Sequence, residues 1–335
     1  MLIEDFLPDR WRPHHPWHVA ALALIYSLVS LFIAVKVFNG NPGLASVIFL
    51  TLFLLPSIMR IRHQDTSLGN GWIERLLGPK QVTKAYSAYF IGTFFTYLAV
   101  AFILPFFGFN VVEIIREHLV LLPGLSGAAT FSFTQFSAIL SNNWFVLLLV
   151  FLFAMIWRDG GMFFVLWNAS AWGSIFGYRA MGAAAAAGTN PWYYLGVELS
   201  QVIWHTALEG GSYVLAAVAG SVIGRHAYEE DEIPSVFIAA VITLVITTFG
   251  LKTVISLLSL SVITQTVLGV ATFFLTTYLL RHALVKHPEQ FTTGMTVFST
   301  ALTLFAAGAI VETFVLENSA SLQTIYKYSS MFIRS

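Results

Sequence analysis

The chain has 335 residues, of which 57% are hydrophobic and only 10% are charged. Soluble domains carry about 25% charged residues, so this composition excludes a soluble globular protein and predicts an integral membrane protein with the lipid bilayer as its partner. The formal net charge is +0, which gives no reason to expect nucleic acid as a partner. The chain has no cysteine, which excludes disulfides and thiolate metal sites.

The N-terminal segment is not expected to be a cleaved signal, because Asp5, Asp9 and three prolines interrupt the short basic region with which a signal begins. Residues 1–15 instead predict a segment at the membrane surface. Hydropathy then predicts spans at about 17–38 and 44–59, and a third at about 86–107.

The loop between the second and third spans carries five cations, whereas the turn between the first two spans carries none. These cations are Arg60, Arg62, Arg75, Lys80 and Lys84. Because cytoplasmic loops are enriched in Lys and Arg, this loop and the N-terminus are predicted to be cytoplasmic, with the protein in the cell membrane. Residues 71–77 within the loop are predicted to lie along the membrane surface.

An amphipathic segment follows the third span, with its charged residues at Glu113, Arg116, Glu117 and His118. It predicts a surface helix whose charges are solvated and pair at i,i+3 and i,i+4 spacing. The fourth span is predicted to begin at Asn142 and Asn143 and to end near Trp157.

Residues 162–178 are apolar but contain Asn168, Gly173 and Gly177, so hydropathy leaves open whether they cross the membrane or re-enter. The two glycines form a small-xxx-small face that allows another helix to approach closely. The alanine run at 183–187 predicts a short helix of its own.

The stretch 192–224 is long enough to cross a bilayer, yet it carries a series of polar residues. These are Glu198, Gln201, His205, Glu209 and Ser212, which fall in a sector about 100° wide on a helix. An ionisable group at the bilayer centre costs roughly 3 kcal/mol or more, so this face is predicted to contact protein or water. The pair Gly210-Gly211 permits a kink here, and Gly220 and Gly224 are candidate helix-packing positions.

The rest of the chain predicts two spans within 233–281 and a last span at about 293–316, which contains Glu312. The predicted fold is therefore an all-α polytopic transmembrane bundle of eight spans, or nine if 162–178 crosses fully, with some segments short or re-entrant. The chain 1–335 is predicted to form a single integral membrane domain.

His205, Glu209 and Glu312 are the candidate site, since all three lie deep in apolar segments. Further polar groups on the same face or nearby spans complete the candidate cluster: Asn142, Asn143, Asn168, Glu198 and Gln201. Two interpretations stay open, a structural network that fixes the bundle and a site for a proton, cation or substrate. The three ionisable groups could bind a metal, but their spacing does not require one and matches no H-E-x-x-H motif, so neither an enzyme nor a cofactor is predicted.

The order of these residues along 130–316 resembles the SpoIIM-like family (stage II sporulation protein M). The residues that carry the resemblance are Asn142-Asn143, Gly160-Gly161, His205 with Glu209, and Gly308 with Glu312. The resemblance implies a multi-pass homodimer without established catalytic activity, with membrane or envelope proteins as partners. The family-like core would be 131–316, preceded by three spans and the amphipathic segment in 1–130.

Two functions follow from this sequence. The first is a non-enzymatic membrane scaffold that recruits partners or shapes the membrane, with the polar cluster as a structural network. The alternative is a proton- or cation-coupled transporter, or a channel-like protein, that uses the cluster as its site.

The predicted orientation can be tested directly, because a chain without cysteine accepts single probes cleanly. Cysteines placed at Arg75 and at Gly40 are expected to be labelled from opposite sides of the membrane, with Arg75 on the cytoplasmic side. Labelling of both positions by an impermeant reagent from the same side would contradict the span assignment.

Overall fold

Long apolar runs, separated by short turns at glycine and proline, fold into a series of α-helices. The computed structural model describes residues 16–38, 40–64, 71–119, 133–229 and 288–319, and the isolated positions 242, 271, 272, 275, 322 and 325. Within this part, every regular element is helical, which confirms the all-α fold.

In chain order the helices are α1 (Pro16–Val37), α2 (Pro42–Gln64), α3 (Trp72–Leu77), α4 (Lys80–Ile103), α5 (Val111–Leu119), α6 (Phe133–Trp157), α7 (Gly161–Ala187), α8 (Pro191–Glu229) and α9 (Pro288–Asn318). A 3-10 helix, Leu104–Phe107, follows α4.

Five helices in the described ranges are long and apolar enough to cross a membrane. They are α1, α2, α4, α8 and α9. The apolar part of α6, Asn143–Trp157, is shorter. The two spans predicted within 233–281 lie outside the described residues, so the total of eight or nine spans stays a prediction.

Two helices in the middle of the chain extend beyond their predicted apolar segments. Helix α6 begins at Phe133, although its apolar part, Asn143–Trp157, agrees with the span predicted from Asn142 to near Trp157. Helix α7 runs for 27 residues without a break and includes the alanine run 183–187, which therefore is not a separate helix. Alanine has the highest helix propensity, so the helix continues until Gly188, whose φ of 64° ends it in the left-handed conformation.

Helix α8 is also continuous, through Gly210 and Gly211, over its 39 residues. The carbonyl of Glu209 accepts a hydrogen bond from the Ser212 hydroxyl at 2.7 Å. The Glu209 carbonyl is therefore not free as a ligand, and the helix continues through the glycine pair.

The amphipathic helix α5 docks into the bundle. His118 is fully buried, with its Nε2 3.1 Å from the Ser170 hydroxyl, and burial lowers the pKa of His118 to about 4, which keeps the imidazole neutral. Glu117 accepts a hydrogen bond of 3.2 Å from the backbone N–H of Gly43, at the positive end of α2. The solvated interpretation is wrong for these two side chains, because it considered α5 alone; the side chains of Glu113 and Arg116 lie outside the described part.

Helix α8 is the central element, and it packs against α4, α6, α7 and α9. Glycines allow this close approach. A Cβ on Gly220 would overlap the carbonyl oxygen of Phe151 in α6, and one on Gly224 would overlap that of Met155. Two further glycines, Gly173 and Gly177 of α7, lie in the same way against the backbone of α4 at Phe94, Leu98 and Phe102.

Helices α8 and α9 run antiparallel. Gly294, near the start of α9, lies against Ile223 near the end of α8, whereas Gly308 lies against Glu209 in the middle of α8. The end of α8 and the start of α9 are therefore at the same end of the bundle, and the second half of α9 faces the polar residues of α8.

Gly220→Ala is expected to destabilise the protein by about 1–3 kcal/mol, because the added methyl group overpacks the contact with α6. The matched control is Gly196→Ala in the same helix, where no atom lies within 4 Å of the added carbon. There alanine should stabilise the helix by up to about 1 kcal/mol. Thermal unfolding in detergent measures both, and equal effects of the two substitutions would refute the packing argument.

Candidate functional site

The polar face of α8 lies in the interior of the bundle. Glu198, His205 and Glu209 are at most 7% exposed. They succeed one another at intervals of seven and four residues, which correspond to about 10 Å and 6 Å along the helix axis. Three neighbouring helices bring further polar groups to this face: Asn143 from α6, Arg179 from α7 and Glu312 from α9.

The centre of the site is a pair of carboxyl groups. The side chains of Glu209 and Glu312 lie close enough to interact directly, and the Asn143 Nδ2 donates a hydrogen bond of 2.9 Å to the Glu209 Oε1. Gly308 makes this approach possible, since a Cβ there would lie only 2.9 Å from the Glu209 Cγ. Because an ionised carboxylate can only accept, the two carboxyl groups can share a hydrogen bond only when one of them carries a proton.

A tyrosine that the sequence analysis did not select lies beside this pair. Tyr213, one turn beyond Glu209 on α8, is fully buried and within electrostatic range of both Glu209 and Glu312. Its hydroxyl has no hydrogen-bond partner among the described residues, and neither has the Glu312 Oε2. The site thus holds polar atoms that are removed from solvent and left unsatisfied.

Arg179 is the cation of the site. Its Nη1 lies 3.7 Å from the Glu198 Oε1, with side-chain exposures of 8% and 0%. It also acts electrostatically on His205 and Glu312, so one guanidinium influences groups on both α8 and α9. Arg179 was not predicted, because the predicted apolar segment ends at residue 178; a single Arg in the interior of a continuous apolar helix is itself a sign of a site.

The other residues predicted for the site make no described hydrogen bond to the carboxyl pair. His205 makes no hydrogen bond to Glu209, and its Nδ1 is buried without a partner in the described ranges. The Asn168 amide donates to the Phe164 carbonyl of its own helix at 2.8 Å, outside the cluster. Gln201 is half-buried with no described hydrogen bond to the cluster, and the side chain of Asn142 lies outside the described part.

The donor set of the site consists of two carboxyl groups and one amide. No group of three or more His, Asp or Glu side chains in the described ranges is arranged to hold a metal ion. Two carboxyl groups and an amide oxygen or N–H are suited to a proton or to a cation that prefers oxygen ligands.

A second buried ion pair, between Arg62 and Asp159, lies at the opposite end of the bundle. The Arg62 Nη2 lies 2.5 Å from the Asp159 Oδ1, and the Tyr86 hydroxyl donates to the same oxygen at 3.4 Å. Burial raises the pKa of Asp159, and the Arg62 charge opposes that rise. This pair joins the end of α2, the start of α4 and the turn between α6 and α7.

Compared with protein-family models, curated proteins and solved structures, the chain shows no match. The resemblance to the SpoIIM-like family therefore stays a prediction from the order of residues. The function has to be inferred from the site.

Arg179→Met is expected to destabilise the protein by about 3–5 kcal/mol, because it leaves the Glu198 carboxylate buried without its cation. Combining it with Glu198→Leu should recover most of that loss, since an apolar pair of similar volume replaces a buried ion pair at little cost. Gln201→Met, on the same face but outside the pair, is the control and should change stability by at most about 0.5 kcal/mol. Additive losses in the double variant, measured by thermal unfolding, would show that the two side chains are not coupled.

Proposed function

We propose that this protein is a proton- or cation-coupled membrane transport protein in which Glu209 and Glu312 take up and release the ion. The observation that carries the proposal is the close approach of their carboxyl groups in the interior of the bundle. Two carboxylates this close repel each other when both are ionised. The pair therefore favours a bound proton or small cation, and exchange of that ion is the step that transport would couple.

The unsatisfied groups around the pair support a path for the ion. Buried polar atoms without partners call for an explanation, such as water or an ion. In this site they are the His205 Nδ1, the Glu312 Oε2 and the Tyr213 hydroxyl, all without a hydrogen bond to a described residue. His205 and Tyr213 lie about 12 Å apart along α8, on either side of Glu209, which suits stepwise transfer of the ion to and from the carboxyl pair.

In this proposal Arg179 weakens the binding of the ion at the carboxyl pair. A fixed positive charge near Glu312 and His205 favours the ionised carboxylate and disfavours a bound cation. It therefore weakens ion binding at the pair enough for release, a requirement that transport sites share with channels.

The number of membrane spans and their orientation are also proposed. Helix α7 is about 40 Å long, more than the hydrocarbon core of roughly 30 Å, so its length allows a full crossing, while its composition is less apolar than that of the five helices above. With α6 also crossing, and two spans in 233–281, the total would be nine. The cationic loop supports a cytoplasmic N-terminus in the cell membrane, while membership of the SpoIIM-like family and the homodimer rest on the resemblance.

The test is to melt the purified protein across a pH series and a panel of Na⁺, K⁺, Li⁺, Mg²⁺ and Ca²⁺. An ion that binds only the folded protein stabilises it by about 2.7 kcal/mol at one hundred times its dissociation constant. We expect one condition to stabilise the wild type in this way, and Glu209→Gln and Glu312→Gln each to abolish that response. Asn143→Ala should weaken it, whereas Asn168→Ala, the matched amide outside the cluster, should retain it.

A second candidate function is a non-enzymatic membrane scaffold. It is favoured by the hydrogen bond and the ion pair that connect neighbouring helices in the polar cluster. The Asn143–Glu209 hydrogen bond joins α6 to α8, and the Arg179–Glu198 ion pair joins α7 to α8. In a purely structural network, Glu209→Gln would cost about 1–3 kcal/mol under every ionic condition. A wild-type protein without any ion- or pH-specific response would thus support a non-enzymatic scaffold and overturn the transport proposal.

A further inference from the structure

A groove with a volume of about 800 Å³ opens at the end of the bundle where α1 and α4 begin. Helix α3 lies across it. The apolar part of its lining includes Trp17, Ala20, Trp72, Ile73 and Ile91. Several of these side chains are open to the surroundings, with Trp72 71% and Trp17 59% exposed.

The polar part of the lining is positively charged. Lys80 and Lys84 lie one turn apart at the start of α4, and both are exposed. No acidic residue is among the described residues that line the groove. The first turn of α4 has no acidic residue.

The two lysines repel each other as long as no anion lies between them. Lys80 occupies the first position of α4 and Lys84 the second turn. Like charges at i,i+4 spacing destabilise a helix. A bound anionic group would compensate both lysines together.

The lining also indicates where in the membrane the groove lies. Tryptophan is enriched at the level of the lipid headgroups, and Trp17 and Trp72 flank the opening. Lys80 and Lys84 are at the outer end of α4, whereas Ile91 is two turns further toward the bundle centre. The groove therefore changes from cationic to apolar in the direction from headgroup to hydrocarbon.

We propose that this groove binds an anionic membrane phospholipid. The headgroup phosphate lies between Lys80 and Lys84 at the start of α4, and an acyl chain follows the wall formed by Ala20 and Ile91. A free phosphate ion would gain nothing from that apolar wall, and a zwitterionic lipid would bring no net charge to the lysines. The site is separate from the carboxyl pair, so it does not depend on the transport proposal.

The first experiment measures lipid binding by native mass spectrometry in detergent, with phosphatidylglycerol or phosphatidylcholine added. The wild type is expected to retain phosphatidylglycerol preferentially. In Lys80→Gln/Lys84→Gln its apparent affinity should fall roughly thirtyfold, the factor that corresponds to ~2 kcal/mol for two surface cations. The control, Lys36→Gln/Arg75→Gln, removes the same charge from exposed positions outside the groove and should bind like the wild type.

Equal retention of the two lipids by the wild type, or equal losses in the two double variants, would overturn the proposal. A second experiment identifies the occupant. Benzoylphenylalanine at Ile73, half exposed in the groove wall, should crosslink to phosphatidylglycerol when the full-length protein is irradiated in bilayers of phosphatidylcholine and phosphatidylglycerol. A crosslink to residues 1–15 or to a second copy of the chain instead would show that protein fills the groove.

Discussion

The structure depends on one constraint, which is that the polar face of α8 cannot contact lipid. Glu198, His205 and Glu209 lie on one side of a helix that is otherwise apolar. Each would cost several kcal/mol in hydrocarbon without a partner. Helices α6, α7 and α9 cover this face and supply the groups that meet it, so the requirement to satisfy a few side chains determines which helices are neighbours.

Glycine residues allow the neighbouring helices to pack closely over the polar face of α8. In a bilayer the lipid is as apolar as a leucine side chain, so helices associate through close packing rather than through a hydrophobic driving force. Gly220 and Gly224 bring the backbone of α6 against α8, and Gly308 brings α9 against Glu209. The same small residues that stabilise the bundle thus set the distance at which the carboxyl groups meet.

The sequence was sufficient to predict what a single helix determines. The helical period identified the buried face of α8, and hydropathy placed α1, α2, α4 and α9 to within a few residues, because each span is a local apolar run. Features that need a second helix were missed. Arg179 has no local pattern that reveals its partners, and His118 appeared solvated because its neighbours in α7 are far away in the chain.

Helix ends were the least predictable part for a physical reason. The start of α6 and the extension of α7 over the alanine run are decided by backbone hydrogen bonding, which continues as long as no residue interrupts it. Hydropathy measures transfer into lipid and contains no information on where a helix extends past the membrane. The apolar length and the helical length are therefore different quantities, and they differ most in α6 and α7.

The length of α8 has a mechanical consequence. Its 39 residues form a rod of about 58 Å, whereas a bilayer with its headgroups is about 40–45 Å thick. The rod must therefore tilt steeply or emerge into water, and the helix continues through Gly210 and Gly211 beside the carboxyl pair. Because Glu209 belongs to this rod and Glu312 to α9, a displacement of the emerging end along the helix axis would move the two carboxyl groups relative to each other.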